Sequence, residues 1–133
     1  MVKSPLMSHA LHHAMGSVKK YGGKVEDYLA IHEWFDAPKE HHHDFRHRMF
    51  RHHSQGIKTM TEIFGASLTN SDGTTIPTQW IGEQHMLEDF GFIPTPKDWV
   101  SSMTATKRWM VANAQSGKHN EPRPKEFKQA PFN

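Results

Sequence analysis

The feature that most constrains this chain is a pair of adjacent histidines, His52 and His53, inside an otherwise helical stretch. From Asp36 to Gly65, apolar residues recur three and four positions apart, as on the buried face of an amphipathic helix. Steps of three and four along that face from Met49 reach the two histidines, where leucines would be expected. Because a buried imidazole needs partners for its ring nitrogens, the pattern predicts a polar centre inside the fold and favours a metal site.

The same stretch predicts one long central helix at about residues 37–64. Asp36 is a suitable N-cap, Pro38 suits the first turn, and Gly65 stands where helices commonly end. Gly56 is the weak point inside this helix, at a cost of about 1 kcal/mol relative to alanine. The predicted fold class is therefore mostly α, a compact helical bundle around this one long helix.

Shorter elements are predicted on both sides of the long helix. The predicted helices are Pro5–Lys20, Val25–Phe35, Gln79–Phe90 and Pro96–Met103. A turn sequence at 70–73 lies between threonine-rich arms, which predicts a small β-hairpin at about 66–78. Residues 1–116 are expected to form a single helical domain, and residues 117–133, which are polar and proline-rich, an extended tail.

Composition limits the classes of function. The chain has no cysteine, so a metal must be bound by imidazole and carboxylate groups, which suit Zn, Fe, Mn, Co or Ni. The sequence shows neither an apolar run near the roughly 20 residues of a membrane span nor a signal-peptide pattern, which predicts a cytoplasmic protein without a membrane partner. The formal charge is only +2, with bases and acids interleaved, so nucleic acid is weakly favoured as a partner.

Histidines on the predicted inner faces of four helices are the candidate metal ligands, because helical bundles commonly hold metals in this way. The predicted ligands are His13, His32, His52, His53 and His85. Asp36, one turn after His32, and Glu88 are the predicted catalytic carboxylates, which would act as base toward a metal-bound water. The alternative is a set of core histidines that neighbouring acids and carbonyls satisfy without a metal.

A basic group lies opposite the apolar face of the predicted long helix. His47, Arg48 and Arg51 form a candidate anion-binding site, since guanidinium groups match phosphate oxygens. The alternative for this group is a surface ion-pair network. The histidine triplet at 41–43 predicts a solvated helix face, because consecutive helical residues point in different directions and cannot converge on one ion.

A series of short motifs runs in a fixed order between about residues 12 and 100. The motifs are His12-His13, Lys20-x-Gly22-Gly23, Glu26-Asp27-Tyr28-Leu29, Ile31-His32-x-Trp34-Phe35-Asp36, Phe45-Arg46-His47-Arg48, Arg51-His52-His53, Gly56, Phe64-Gly65, Gly82-Glu83-Gln84-His85 and Glu88-Asp89. As a set they resemble a family of small His-rich proteins of unknown function found in bacterial and tailed-phage genomes. The resemblance implies a common fold and a common set of histidines and acids. The predicted location is the cytoplasm of a bacterial host cell, with a virion as the alternative.

Two classes of function follow from these features. The first hypothesis is a metal-dependent hydrolase that acts on a small anionic substrate, either phosphorylated or nucleotide-like. The alternative is a non-catalytic phage structural or host-interaction protein with a structural histidine and metal centre. The tail predicts a homo-oligomer or larger assembly in which it docks on a neighbour. Nucleic-acid binding is a weaker third hypothesis, which a steep loss of affinity with added salt would support.

Overall fold

The computed structural model describes residues 5–102 and residue 108. The chain divides after Ser101 into two compact units. The first unit consists of α1 (Pro5–Tyr21), α2 (Val25–Asp36), α3 (Ser54–Phe64), β1 (Ser67–Thr69), β2 (Thr75–Pro77), α4 (Thr78–Phe90) and α5 (Pro96–Val100). The mostly helical class is confirmed, and α1, α2 and α4 match the predicted helices to within a residue at each end.

The prediction of a single long helix at about 37–64 is wrong. Two 3-10 helices, Ala37–Glu40 and Phe45–Phe50, occupy its first half, and α3 forms only the second half. The triplet at 41–43 lies between the two 3-10 helices, largely exposed and outside any helix. The region from α2 to α3 is therefore a folded connection whose residues can face in several directions.

Side chains within the connection explain why the helix is interrupted. Asp44 accepts a hydrogen bond from the Arg46 backbone N–H at 2.9 Å, which starts a new turn. His53 is extended, with φ −163° and ψ 174°, and its Nδ1 accepts from the Gly56 N–H at 3.0 Å as the N-cap of α3. Such local bonds compete with a continuous helix. A Cβ at Gly56 would also collide with the Arg51 carbonyl oxygen, so the tight approach of the chain at this point requires glycine.

The predicted hairpin is confirmed as a two-stranded antiparallel sheet in which Leu68 pairs with Ile76. The Asn70 Oδ1 accepts from the backbone N–H of Thr74 at 3.0 Å and so closes the turn. The Asn70 Nδ2 donates to the Tyr28 hydroxyl at 3.0 Å, which ties the hairpin to α2. A two-stranded sheet is marginal alone, and this attachment to a helix supplies part of its support.

Helices α1 to α4 and the hairpin enclose one apolar core. Its largest fully buried apolar side chains are Tyr28, Phe35, Met60, Ile81 and Met86. A Cβ at Gly82 would lie 2.9 Å from Met60 Cε, so α3 and α4 pack closely at this glycine. A Cβ at Gly16 would meet the Glu88 carboxylate, so α1 and α4 are also close at a glycine. The second contact brings the histidines of α1 against α4.

Some predictions fall outside the described residues. These are the domain boundary at 116 and the extended tail at 117–133. The last helix, predicted at Pro96–Met103, ends earlier, at Val100, with Ser101 as its C-cap. Within residues 5–102, none of the helices has the length and apolar character that crossing a bilayer would require.

Candidate metal centre

Three helices each contribute two ligand-type residues to one region of the core. They are His9 and His13 in α1, His32 and Asp36 in α2, and His85 and Asp89 in α4. In each pair the residues are four positions apart, so both side chains share one face of the helix. His52, in the connection before α3, joins them. The predicted long helix is interrupted at 37–53, and this interruption is important for the centre. Because His52 lies before α3, its direction does not depend on which face of α3 is buried.

Four of these side chains form a compact set of donor atoms, which we name the inner site. His52 Nε2 lies 3.2 Å from both Asp36 Oδ1 and Asp89 Oδ2. His85 Nε2 lies 3.5 Å and 3.4 Å from the same two oxygens. The two Nε2 atoms are 3.2 Å apart. Tetrahedral ligands at bond lengths of 2.0–2.1 Å lie about 3.3–3.5 Å from one another, so these spacings suit one metal ion.

The donors of the inner site are removed from water. Asp36, His52 and His85 are 0% exposed, and the Asp89 side chain is 5% exposed. Both Asp36 oxygens and Asp89 Oδ2 are buried without a hydrogen-bond partner among the described residues, although ring nitrogens lie nearby. The short contacts between these oxygens and the ring nitrogens are thus not aligned as hydrogen bonds. Buried carboxylates without partners are costly, and a cation at the common focus would satisfy both.

A chain of hydrogen bonds fixes the tautomer of His85. Ser17 donates its one hydroxyl proton to Gln84 Oε1 at 2.8 Å, so it must accept from His32 Nε2, also at 2.8 Å. The neutral His32 ring then has a bare Nδ1, which accepts from His85 Nδ1–H at 2.9 Å. His85 Nε2 therefore presents its lone pair to the inner site, as a metal ligand must.

The orientation of the Gln84 amide supports this direction. Its Nε2 donates to the His13 carbonyl oxygen and to Glu88 Oε2, both at 3.1 Å. Because both partners are acceptors, the amide oxygen must face Ser17. The network therefore has one consistent direction of donation from His85 to Glu88.

The carboxylates need a positive partner to stay ionised in this buried setting. Without a metal that partner is a ring N–H group, and when the Nε2 lone pair faces inward it is a bound cation. Burial raises the pKa of Asp36, but the His52 and His85 rings outweigh it and hold that pKa well below its ordinary value. Burial likewise opposes ionisation of Asp89, and His13, His52 and His85 together lower its pKa below the usual range. Burial lowers the pKa of His32 strongly, which keeps that ring neutral. The inner site therefore holds two carboxylate anions in a buried setting.

His13 borders the inner site on the α1 side. Its ring stacks on His85, with centroids 3.8 Å apart and planes at 25°. Its Nδ1 lies 2.7 Å from Glu88 Oε1 and its Nε2 lies 3.1 Å from Asp89 Oδ1. Burial lowers the pKa of His13, but the Asp89 and Glu88 carboxylates outweigh it and the net shift is upward. Glu88, a predicted catalytic residue, is 38% exposed at its side chain.

The structure separates the predicted ligands into three environments. His52 and His85 belong to the inner site together with Asp36, the other predicted catalytic residue. His32 lies behind His85, and groups of His13, His32 and His85 nitrogens are close enough to hold an ion. His53 is elsewhere, as the cap of α3.

The structure gives the three predicted anion-binding residues different partners. His47 is buried, and its Nδ1 donates to the Asp44 carbonyl oxygen at 2.7 Å. The Arg48 guanidinium lies 5.2 Å from the centre of the Phe90 ring. Arg51 stacks on Trp34 at 4.4 Å and donates to its carbonyl oxygen at 2.6 Å. These contacts do not bring the three side chains together on one anion.

The sequence prediction did not include Asp89 or His9 as ligands. Asp89 follows His85 by four residues, the same spacing as His32 and Asp36, and this repeated spacing is the signal that identifies it. His9 precedes His13 by four residues in the same way. Ser17 has no comparable signal in the sequence, because its role depends on where α4 packs.

The fold and the site define a class, a helical protein with a buried histidine and aspartate centre that can hold a metal ion. Within that class, a family model matches residues 8–110, and the chain belongs to this family, described as a domain of unknown function (DUF6915). Neither a curated protein nor a solved structure matches the chain. An activity therefore has to be argued from the site itself.

Proposed function

We propose that the protein binds a divalent transition metal at the inner site and uses it to hydrolyse a phosphorylated or nucleotide-like small molecule. One observation carries the metal: four donor atoms from Asp36, His52, His85 and Asp89 converge with spacings of 3.2–3.5 Å. The buried carboxylate oxygens in this set lack aligned hydrogen bonds from described residues. Two imidazoles and two carboxylates suit Zn, Fe, Mn, Co or Ni.

The hydrolytic part of the proposal rests on what surrounds the centre. A bound metal would lower the pKa of a coordinated water and so supply a nucleophile. Glu88 is a suitable base, because its carboxylate contacts His13 beside the centre and is 38% exposed to solvent. A groove of ≈ 530 Å³ begins at Ala37, next to Asp36, and includes Arg51. Its lining includes both Arg51 and Glu40, and the Arg51 guanidinium is the group that could meet an anionic substrate.

A second candidate is a structural metal centre in a non-catalytic protein. The nearly complete burial of the four donors favours it, since structural sites are closed whereas catalytic sites keep an open position. In that case the protein would act through a partner or an assembly, as a phage structural or host-interaction protein does, with the C-terminal tail as the docking segment.

Metal content is the first test of both candidates. Untagged protein purified without added metal would be compared with His52→Ala and with His12→Ala, an exposed histidine that serves as the matched control. We expect tightly held transition metal in the wild type and in the control, and its loss in His52→Ala. A wild type without metal, even after reconstitution, would contradict both candidates.

Turnover then separates the two candidates. Metal-loaded protein would be assayed on phosphomonoesters, phosphodiesters and nucleotides, in parallel with Glu88→Gln. Hydrolysis that disappears in Glu88→Gln while the metal remains supports the enzyme and the role of this base. Bound metal with no turnover on any of these classes supports the structural centre.

A further inference from the structure

The carboxylates of the inner site also lie near the histidines of α1, and Asp89 turns its second oxygen toward them. Asp89 Oδ1 lies 3.1 Å from His13 Nε2 and 3.9 Å from His9 Nε2. One Asp36 oxygen and one ring nitrogen from each of His9 and His13 also lie within 4.8 Å of one another. We name this second set, two imidazoles and the same two carboxylates, the outer site.

The outer site contains polar atoms that lack partners within residues 5–102. His13 Nε2, on a residue only 3% exposed, has no aligned hydrogen bond, and neither do the two Asp36 oxygens. The other ring nitrogen of His13 is anchored, since Nδ1 lies 2.7 Å from Glu88 Oε1. A cation that displaces the proton between His13 Nε2 and Asp89 Oδ1 would bind both atoms, which lie 3.1 Å apart, while Nδ1 keeps its contact with Glu88.

We propose that the protein holds a second divalent metal ion at the outer site, so that Asp36 and Asp89 bridge two ions. This inference rests on the proposed function and deepens it. Each ion would have two imidazole nitrogens and one oxygen from each carboxylate. Helical bundles hold carboxylate-bridged pairs of ions on their inner faces, and such pairs are commonly about 3.5–4 Å apart.

The two sites differ in their access to solvent, which gives the second ion a distinct role. The side chains of His9 and Glu88 are 29% and 38% exposed, whereas His52 and His85 are 0% exposed. The outer ion would therefore keep more coordination positions for water or for a substrate oxygen, and the inner ion would act beside it with less access to solvent. The ligand class that fits is a phosphate oxygen, which a pair of divalent ions can bind and polarise.

The test is the number of ions per chain, with Mn²⁺ as the probe. Chelator-treated, untagged protein would be titrated with Mn²⁺, and bound metal counted by equilibrium dialysis with elemental analysis. Electron paramagnetic resonance would report whether the bound ions are magnetically coupled. We expect two ions per wild-type chain with a coupled spectrum. His9→Ala should hold one ion with the spectrum of an isolated centre, and His12→Ala should match the wild type.

The outcomes separate this inference from the proposed function. One uncoupled ion in the wild type, unchanged in His9→Ala, overturns the outer site and leaves the inner site standing. No bound ion overturns both. Two uncoupled ions of which one is lost when the exposed His41 and His43 are replaced by alanine also overturn it, because the second ion would then be on the surface. The wild-type count decides the matter even if His9→Ala folds poorly, and His9→Asn provides a second variant.

Discussion

The two sides of the centre use the same carboxylates but differ in how their histidines are held. On the inner side, His52 and His85 are fully buried, and His85 is oriented by a hydrogen-bonded chain that runs through His32 and Ser17. On the outer side, His9 is partly exposed, and its nitrogen is 3.9 Å from the nearest Asp89 oxygen. The inner side is preorganised for tight binding, and the outer side is accessible for exchange. If both proposed ions bind, one pair of aspartates would combine a retained ion with a more exchangeable one.

Replacing a ligand of the inner side should have the largest effect. His85→Ala removes a donor and opens a cavity. It also leaves the two buried carboxylates with His52 as the remaining ring of the inner site. We expect loss of metal at both sites and a decrease of about 3–5 kcal/mol in the free energy of unfolding, the usual cost of removing one partner from a buried ion pair. Urea denaturation of the wild type, His85→Ala and His9→Ala measures this decrease in the free energy of unfolding. Equal destabilisation by the two variants would remove the contrast between the sides.

A smaller effect is expected from the residue behind the inner site. Ser17→Ala removes the acceptor of His32 Nε2 without touching any of the four donors. The His85 ring would lose its fixed tautomer, and outer-shell changes of this kind typically reduce metal affinity by about 10–100-fold. Competition with a chelator of known affinity measures the change. Ser71→Ala, a comparable substitution on the exposed hairpin, is the control, and unchanged affinity in Ser17→Ala would contradict the relay.

The smallest effect is expected for His53, the predicted ligand that caps α3 away from the centre. His53→Ala removes the N-cap of α3 and should lower the free energy of unfolding by about 1 kcal/mol, with the metal content unchanged. His53→Asn, which can accept the same hydrogen bond from the Gly56 N–H, should restore most of the loss. A variant that loses metal while it remains folded would show that His53 belongs to the centre after all.

The sequence predicted that a buried histidine centre exists. It predicted less well which residues form that centre. His52 was selected because it fell on the apolar face of a long helix, yet that helix does not exist, and His52 faces the centre from an irregular connection. The apolar spacing was real, but Asp44 and His53 form side-chain bonds to the backbone that interrupt the helix, and periodicity does not register such bonds. The separate elements were predicted well because their caps and turns are local.

Choosing between Asp89 and Glu88 required the packing of α1 on α4. Both acids lie near His85 in sequence, and residues three and four positions on both neighbour it on the helix surface, so spacing alone does not separate them. Glu88 instead meets His13 at the border of the centre, at a point where α1 has a glycine. A single helix cannot reveal which acid faces inward, since this depends on a contact between residues 75 positions apart.

The same long separations have a consequence for how the protein unfolds. The candidate ligands range from His9 to Asp89, so ions held there would act as a cross-link that closes nearly the whole described chain into loops. In an unfolded chain these donors are scattered, and ordering them again costs loop-closure entropy. Release of the inner ion, whose ligands range from Asp36 to Asp89, should therefore coincide with global unfolding instead of preceding it. A colorimetric chelator would then record the unfolding rate directly, without any label on the protein.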